Sequence, residues 1–235
     1  MSTLTPNGVV VVTGAASGIG AAICAEMSSR GWRVAGLDLS PAPACHWSAQ
    51  VDVTDLDAVT AAVRDVEREL GLVTAAVSAA GYYEMQPVTQ ISTERWMRML
   101  RVHLGGLVNL TRAVLPQMVA QNNGSLVAIT SELAIGGGSH DVHYAAAKGA
   151  IIGMVRSLAS EVASAGVRVN AVAPGPTDTP LLPVDSPWRA PDYLATLPVG
   201  RLSSPQEVAL CVAYLIDEGG FCVGEVLNPN AGAVI

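Results

Sequence analysis

Charged residues, aromatic residues and histidines are all scarce in this chain. Of 235 residues, 14% are charged and 4% aromatic, with one Phe and four His. The net charge of −7 lacks the cationic surface that a general nucleic-acid-binding protein needs. So few histidines argue against a metal enzyme, and so few aromatic rings argue against a surface that stacks bases. Half of the residues are apolar, which excludes intrinsic disorder.

Basic residues are missing from the first part of the chain, where the first charge is Glu26. A secretory signal begins with positive charge and continues with an unbroken apolar run, whereas Pro6 and several glycines interrupt this segment. The four cysteines form no CxxC pair, which is typical of reduced thiols in a cytosolic protein. The sequence therefore predicts a cytoplasmic protein that does not bind membranes.

Short β-branched runs alternate with longer helical patterns along the whole chain. This alternation predicts a single-domain, doubly wound α/β Rossmann fold over 1–235, with a seven-stranded, mostly parallel sheet covered by helices on both faces. The dinucleotide-binding half would span about 1–131 and the catalytic half about 132–235. The predicted strands are Val9 to Thr13, Arg33 to Leu39, Ala49 to Val53, Val73 to Ala79, Ser125 to Ser131, Val167 to Ala173 and Cys222 to Leu227.

Helix boundaries are marked by residues that start or stop helices. Gly31 and Gly71 end the first two helices, and Thr54 is predicted to cap the second. Two more helices are expected, one through Trp96 to Met118 that breaks near Pro116 and one from Asp141 to Gly166. The sequence Ser204 to Glu207 combines a capping box with proline at the first helical position.

A proline-rich stretch between Thr177 and Gly200 carries no regular pattern. Five prolines exclude a long helix there, and a segment of this length in a compact domain usually forms a functional loop or lid. Its apolar side chains, which can close over a ligand, are Leu181, Leu182, Trp188 and Tyr193.

A glycine-rich turn joins the first predicted strand to the first helix. It includes Gly14, Ser17, Gly18, Ile19 and Gly20. Glycine lets backbone approach a bulky anion, and the free N–H groups at a helix N-terminus stabilise a pyrophosphate. The turn therefore predicts a phosphate cradle for a dinucleotide.

Asp38 ends the second predicted strand, where a carboxylate accepts hydrogen bonds from an adenosine ribose diol. Its negative charge would repel a 2′-phosphate, and Ala15, Ala16 and Leu39 supply no compensating cation. The sequence therefore favours NAD(H) over NADP(H).

Tyr144 and Lys148 are four residues apart on a predicted helix and so share one face. A free tyrosine exchanges protons poorly at neutral pH, because its pKa is about 10. A neighbouring ammonium favours the phenolate, so we expect Lys148 to lower the pKa of Tyr144. Ser131, at the end of the fifth strand, is in position to hydrogen-bond the same substrate oxygen.

Together these motifs resemble the short-chain dehydrogenase/reductase family over nearly the whole chain. The matching stretches are Thr13-Gly14-x-x-x-Gly18-Ile19-Gly20, Asp52-Val53, Ala79-Ala80-Gly81, Ser131, Tyr144-x-x-x-Lys148 and Asn170-x-x-x-Pro174-Gly175-x-Thr177-x-Thr179. The resemblance implies an NAD(H)-dependent oxidoreductase that interconverts a secondary alcohol and a ketone. Hydride chemistry then belongs to the coenzyme, while the protein supplies orientation and proton transfer.

The resemblance also implies residue roles. Tyr144 would be the general acid/base, Lys148 would hold the nicotinamide ribose, and Ser131 would orient the carbonyl or hydroxyl. The implied coenzyme contacts are Asp52 and Val53 at the adenine, Ala80 and Gly81 at the adenosine ribose, and Thr177 and Thr179, within the Pro174-Gly175 motif, at the carboxamide.

The chain departs from the family pattern in three places. Ser78 and Ala79 replace two asparagines before Ala80-Gly81, and Asn228 to Gly232 replaces an Asp-Gly-Gly ending. His103 occupies the position of the family's catalytic Asn, which holds a water in the proton relay. His103 could replace that Asn, act as a relay itself, or mark a weakened enzyme.

Several polar residues near the predicted site allow two readings. Asp141 or Ser139 is expected to cap the catalytic helix while His140 and His143 border the substrate pocket. Glu132 would bind a substrate hydroxyl or amine, or else point to solvent. The group Tyr82, Tyr83 and Glu84 would form pocket wall or surface loop.

Small residues recur on the catalytic helix at Ala145, Gly149 and Gly153. The resemblance implies a homotetramer, or a homodimer, that uses this stripe, and packing within the chain is the alternative. The substrate would be a small molecule. Two other functions stay open, namely a 3-oxoacyl-thioester reductase and a catalytically silent dinucleotide-binding regulator.

Overall fold

A computed structural model describes residues 8–235, and the strands in this range form one sheet. Every strand pair is parallel, and the order is β3-β2-β1-β4-β5-β6-β7. The strands are β1 (Val9–Thr13), β2 (Arg33–Asp38), β3 (Trp47–Gln50), β4 (Val73–Ser78), β5 (Gly124–Ile129), β6 (Val167–Val172) and β7 (Val226–Leu227). The predicted seven-stranded α/β sheet is confirmed.

Helices cover both faces of the sheet. They are α1 (Gly18–Ser29), α2 (Leu56–Leu70), α3 (Thr93–Leu100), α4 (Gly106–Ala120), α5 (Leu133–Gly136), α6 (Val142–Val162), α7 (Pro191–Leu194) and α8 (Pro205–Asp217). The fully buried strand β1 shows how the layers form. Val9 and Val11 join the apolar cluster with α2, α4 and α6, whereas Val10 and Val12 join the cluster with α1 and α8.

The strand order reverses at β1, which lies between β2 and β4. In an open parallel sheet, the connections leave such a point in opposite directions and open a crevice at the carboxyl ends of the strands. Ligands bind at this edge, and the motifs singled out above follow β1, β2, β4, β5 and β6 at the same edge.

Two predicted boundaries near the third strand are wrong. Strand β3 lies earlier than predicted, because its ladder with β2 ends where Asp38 pairs with Gln50. Asp55, not Thr54, caps α2, with its carboxylate accepting a hydrogen bond from the Ala58 N–H. Instead, the Thr54 N–H donates to the side chain of Asp52, which turns the chain before the helix.

The predicted break near Pro116 is also wrong, since α4 continues through it to Ala120. Leu110, Val114 and Met118 pack into the core and hold the helix despite the lost N–H donor. The helical geometry changes earlier, in a π-helical segment over Arg101–Gly105. Such segments often mark functional sites, and this one contains His103.

Other predicted boundaries are confirmed. Gly31 and Gly71 follow α1 and α2 with positive φ, and Ser204 and Glu207 form the capping box of α8. The stretch 177–200 contains only short helical pieces, as its prolines require. The last strand is shorter than predicted, because Gly224 has a φ of +74° and interrupts the extended chain before Val226.

Candidate active site

A groove of about 620 Å³ runs along the carboxyl ends of β1, β2 and β4. The sequence-predicted dinucleotide residues that line it are Gly14, Ser17, Gly18, Ile19, Gly20, Asp38, Asp52, Val53, Ala80, Gly81 and Thr179. These residues come from five separate stretches of the chain, and the fold brings them to one surface. We call it the dinucleotide groove.

The glycine-rich turn has the close backbone approaches that its sequence predicts. Gly14 has a φ of +72°, and a Cβ at this position would lie 2.8 Å from the backbone of Ala80. A Cβ on Gly20 would lie 2.0 Å from the Gly14 carbonyl oxygen. Ser17 is the N-cap residue of α1, and its side chain makes no capping bond. The first amides of α1 thus open towards the groove, in the arrangement that binds a pyrophosphate.

The carboxylate of Asp38 is held at the other end of this turn. One oxygen accepts from the Ala16 N–H at 3.0 Å, and the other accepts from the Ser40 N–H at 2.9 Å. Two backbone donors fix the orientation of the carboxylate. The side chain is half-buried and faces the groove, where a ribose diol can donate to its remaining lone pairs.

Thr13 ties the ends of β1 and β4 together. Its hydroxyl oxygen accepts from the N–H groups of Ala79 at 3.1 Å and Ala80 at 3.3 Å. These bonds fix the backbone of the Ala79-Ala80-Gly81 segment across the switch point of the sheet. The replacement of asparagine by Ser78 and Ala79 leaves this link in place.

A second cavity, of about 110 Å³, adjoins the groove near Ile19, Gly81 and Thr179. We call it the substrate cleft. The sequence-predicted residues that line it include Ser131, Tyr144, Lys148, His103, Pro174, Gly175 and Thr177. Leu181, Leu182 and Trp188 of the proline-rich stretch cover it from the other side, whereas Tyr193 packs edge-on against Trp188 and does not line it.

Lys148 lies beside Tyr144 on the buried face of α6. Its Nζ donates to the Ile129 carbonyl oxygen at 2.8 Å and lies 5.6 Å from the centroid of the Tyr144 ring. Burial lowers the pKa of Lys148 to about 7. The side chain is therefore only partly protonated at neutral pH.

The expectation that Lys148 lowers the pKa of Tyr144 is wrong, because the groups of the protein raise this pKa instead. Burial raises the pKa of Tyr144 above its ordinary value, and the carboxyl group of Glu132 raises it further. Hydrogen bonding with Ser131 acts in the opposite direction but does not reverse the shift. The phenol is consequently protonated at neutral pH, which is the state of a proton donor.

Glu132 is buried at the substrate cleft, which excludes the interpretation that its side chain points to solvent. It is 6% exposed, and its Oε2 accepts the Ser131 hydroxyl at 2.8 Å. Burial raises the pKa of Glu132 to about 7. A carboxyl group thus shares the hydrogen-bonding capacity of Ser131.

His103 is 2% exposed and stands edge-on to Tyr144. Its Nε2 lies 2.8 Å from the Tyr82 carbonyl oxygen, and its Nδ1 is buried without a hydrogen-bond partner among the described residues. Burial, with a smaller contribution from Lys148, lowers the pKa of His103 well below its ordinary value. The ring is therefore neutral, which leaves one nitrogen to accept a hydrogen bond.

A hydrogen-bonded chain joins the lid to the start of the catalytic helix. The Trp188 Nε1–H donates to the Tyr83 hydroxyl oxygen at 2.9 Å, and that hydroxyl donates to the Asp141 carboxylate at 2.6 Å. Asp141 occupies the N-cap position of α6 but makes no capping bond, so the predicted cap is wrong. No sequence spacing pointed to this contact, because the three residues come from three separate loops.

The two histidines expected to border the substrate pocket do not line it. His143 is fully buried against Trp96, with its Nε2 3.8 Å from Glu84. Of the loop after β4, Tyr83 lines the cleft and Tyr82 lines the groove. Within residues 8–235, no three His, Cys, Asp or Glu side chains are grouped to hold a metal ion.

Two arginines in the groove were missed by the sequence reasoning. Arg98 and Arg101 line it from α3 and the π-helical segment, and Arg98 lies 5.0 Å above the Tyr82 ring. They are distant in sequence from the glycine-rich turn, and only the packing of α3 beside the groove reveals them.

No helix in the described part of the chain has the length and apolarity needed to cross a membrane.

Comparison with known proteins agrees with this geometry. A family model described as short chain dehydrogenase matches residues 8–190. A 3-oxoacyl-(acyl-carrier-protein) reductase of Thermotoga maritima is 34% identical over 240 residues, which cover 97% of this chain and 98% of that protein. A cis-4-hydroxycyclohexanecarboxylate dehydrogenase of Sinomonas cyclohexanicum is 37% identical over 240 residues and covers 95% of each chain.

A solved structure has the same fold. The ligand-free aldohexose dehydrogenase of Thermoplasma acidophilum superposes with a TM-score of 0.90 at 30% identity, over 97% of this chain and 94% of that one. The family match covers most of the described residues, and the relatives match nearly end to end. The chain therefore belongs to the short-chain dehydrogenase/reductase family and is an oxidoreductase of that family, whose members use nicotinamide dinucleotides.

Proposed function

We propose that this protein is an NAD(H)-dependent enzyme that interconverts a secondary alcohol and a ketone. One observation carries the proposal. The cleft that contains Ser131, Tyr144 and Lys148 opens directly into the groove that contains the glycine-rich turn and Asp38. A substrate carbonyl and a nicotinamide ring can therefore meet at this junction, with proton donors on one side.

The residues present fit a dinucleotide. The amides that begin α1 would bind the pyrophosphate, and Asp38 would accept hydrogen bonds from the adenosine ribose. Lys148 and Tyr144 would bind the nicotinamide ribose. The remaining contacts would come from Asp52, Val53, Ala80 and Gly81 around the adenosine, and from Pro174, Gly175, Thr177 and Thr179 around the carboxamide. When bound, the coenzyme supplies or accepts the hydride.

The fixed carboxylate of Asp38 supports NAD(H) over NADP(H). A 2′-phosphate in its place would bring two negative groups together, which is unfavourable in a partly buried site. Ala15, Ala16 and Leu39, the residues around Asp38, carry no charge. Arg98 and Arg101 line the same groove but come from α3 and the π-helical segment, not from the segments whose amides bind Asp38.

Tyr144 would give a proton to the carbonyl oxygen during reduction. Its raised pKa keeps the phenol protonated at neutral pH, and Ser131 would donate a hydrogen bond to the same oxygen. Lys148 is close enough to stabilise the phenolate that remains. His103 packs against Tyr144, and its free Nδ1 offers an acceptor where the family has its relay asparagine.

A 3-oxoacyl-thioester reductase is the second candidate, and the names of the Thermotoga maritima and Escherichia coli relatives favour it. It would use the same three residues on a ketone, so the geometry of Ser131, Tyr144 and Lys148 does not separate the two. The substrate cleft does bear on the choice. A buried carboxyl group at Glu132 is matched better by a hydroxylated substrate than by an acyl chain.

A substrate screen tests the proposal. Purified protein is assayed with NAD and NADP on cyclic and acyclic secondary alcohols, and with NADH and NADPH on acetoacetyl-thioesters, while nicotinamide absorbance is followed. We expect turnover of secondary alcohols with NAD. Faster thioester reduction with NADPH would establish the second candidate, and NADH binding without any turnover would establish a silent regulator.

Tyr144→Phe ties any activity to the cleft. Loss of the phenolic hydroxyl should reduce kcat at least a hundredfold and leave NADH affinity within a few-fold of wild type. Tyr214→Phe is the matched control, because this tyrosine lies on α8 and lines neither the cleft nor the groove. Equal turnover by Tyr144→Phe and wild type would refute the assigned role.

The small-residue stripe of α6 supports a homotetramer or homodimer. Cβ atoms added at Gly149 and Gly153 would meet nothing within 4 Å, which contradicts packing of these glycines within the chain. Light scattering of wild type and Gly153→Arg checks the assembly, since a charged side chain on a shared face should produce smaller species.

The four cysteines are free thiols, which supports the proposed cytoplasmic location.

A further inference from the structure

Glu132 and Ser131 compete for one proton in the substrate cleft. A serine hydroxyl has a single O–H donor, and in this structure it points to Glu132 Oε2 at 2.8 Å. In the proposed function, Ser131 must turn this donor to the reacting oxygen of the substrate. Glu132 then loses its side-chain hydrogen bond.

Little else compensates the carboxyl group. It is 6% exposed, and among residues 8–235 no lysine or arginine contributes to its charge balance, while Asp141 acts against ionisation. The backbone amides of Glu132 and Leu133 provide some stabilisation. A buried carboxyl group that loses a donor is costly unless another donor takes its place. The cleft, which Glu132 lines, is where that donor can come from.

We propose that Glu132 selects substrates that carry a hydroxyl group on the carbon next to the reacting carbon. The inference rests on the proposed function and specifies its substrate class as vicinal diols and the corresponding hydroxyketones. Ser131 would bind the reacting oxygen, and the neighbouring hydroxyl would donate to Glu132 Oε2. The donor Ser131 Oγ and the acceptor Glu132 Oε2 are 2.8 Å apart, which is also about the separation of oxygen atoms on adjacent carbons.

A hydroxyl fits this position better than an ammonium group does. Lys148 lies in the same cleft, and an added cation would be desolvated beside it. A neutral donor avoids that cost and still satisfies the carboxyl oxygen. The burial that raises the pKa of Glu132 to about 7 favours the same choice, because a carboxyl group that is only partly ionised pairs weakly with a cation.

Three cyclohexanols that differ in the presence or position of a second hydroxyl group test the inference. Oxidation by NAD is measured for cyclohexane-1,2-diol, cyclohexane-1,4-diol and cyclohexanol. We expect kcat/KM for the 1,2-diol to exceed both others at least tenfold, because only its second hydroxyl can replace the hydrogen bond that the buried carboxyl group loses. The 1,4-diol has equal polarity but a distant hydroxyl, so equal rates on the two diols would overturn the inference. A preference for 2-aminocyclohexanol over the 1,2-diol would also overturn it.

Substitutions assign the preference to Glu132. Glu132→Gln, which keeps a neutral acceptor, should lower the 1,2-diol to cyclohexanol ratio of kcat/KM about threefold, and Glu132→Leu should abolish the preference. Glu84→Gln is the matched control, because Glu84 lines neither the cleft nor the groove, and its ratio should equal the wild-type ratio. An unchanged ratio in both Glu132 variants would refute the inference.

Binding separates this inference from the proposed function. Calorimetry on Tyr144→Phe with NAD present measures affinity for the 1,2-diol and cyclohexanol without turnover. If wild type oxidises cyclohexanol but Tyr144→Phe binds both alcohols equally, the proposed function stands and the role of Glu132 fails. If wild type oxidises neither alcohol, the proposed function fails. The role of Glu132 is then judged by binding alone, and it requires that Tyr144→Phe bind the 1,2-diol at least fivefold more tightly than cyclohexanol.

Discussion

The imidazole ring of His103 stands edge-on to the ring of Tyr144, with centroids 5.4 Å apart and planes at 88°. The contact depends on the π-helical segment that carries His103 and on Gly81. A Cβ at Gly81 would lie 2.4 Å from the His103 ring, so only glycine leaves room for it. A neutral side chain, with one ring nitrogen unpaired among the described residues, thus lies beside Tyr144, where we propose that it takes the place of the family's relay asparagine.

The first prediction concerns this ring. We expect His103→Asn to keep kcat within tenfold of wild type, since a short amide also accepts a hydrogen bond and leaves space for water. His103→Leu should lose more than tenfold in kcat, because it removes every polar atom beside Tyr144. NADH affinity, measured by fluorescence titration, should change little in either variant. Wild-type turnover in His103→Leu would show that the ring only packs.

The second prediction concerns coenzyme choice at Asp38. Wild type should bind NADH at least tenfold more tightly than NADPH. Asp38→Asn combined with Leu39→Arg should reverse the order, because it removes a negative charge and adds a cation beside the 2′ position. Asp52→Asn provides the comparison, since it should weaken both coenzymes alike and leave their ratio unchanged. Tighter NADPH binding by wild type would overturn the argument from Asp38.

The third prediction concerns the hydrogen-bonded chain of Trp188, Tyr83 and Asp141. Tyr83→Phe removes both bonds and leaves the Asp141 carboxylate without a side-chain donor, at a cost of about 1–3 kcal/mol. Trp188→Phe removes only the bond from the lid. Both should raise KM several-fold, but only Tyr83→Phe should lower Tm, by roughly 2–4 °C per kcal/mol. Equal Tm values would contradict this division.

The fourth prediction follows from the raised pKa of Glu132. Burial raises the pKa from 4.5 to about 7, so the folded state holds this proton more tightly than the unfolded state. Its contribution to stability is therefore complete below about pH 4.5 and is lost as the pH rises through 7. Glu132→Gln has no carboxyl group to ionise, so its stability does not fall in this way as the pH rises. It should match wild type near pH 4.5 and be more stable at pH 8, by on the order of 3 kcal/mol.

Urea unfolding at the two pH values and one protein concentration checks this prediction. Lys148 titrates in the opposite sense, since its pKa is lowered from 10.5 to about 7 and its cost to stability declines as the pH rises from about 7 to 10.5. That effect is present in both proteins and cancels in their difference. A difference in unfolding free energy that is the same at pH 4.5 and pH 8 would contradict the shift at Glu132.

Much of the fold follows from local patterns in the sequence. The unbroken valines of β1 predict a strand buried on both faces. Gly31 and Gly71 end their helices through a positive φ, which does not depend on how the helices pack. Boundaries set by partners were harder to predict. The end of β3 depends on where β2 ends at Asp38, and the survival of α4 past Pro116 depends on packing against the sheet.

The sequence alone determined the type of protein and many of the residues that line its two cavities, but not Arg98 and Arg101. Glycine spacing, Asp38, and the tyrosine and lysine one turn apart are short-range features, and short-range sterics and helix periodicity decide what they can form. Only the tertiary structure decided the electrostatics around them. Burial depends on every neighbouring element, and it raises the pKa of Tyr144, makes His103 neutral and brings Glu132 to Ser131.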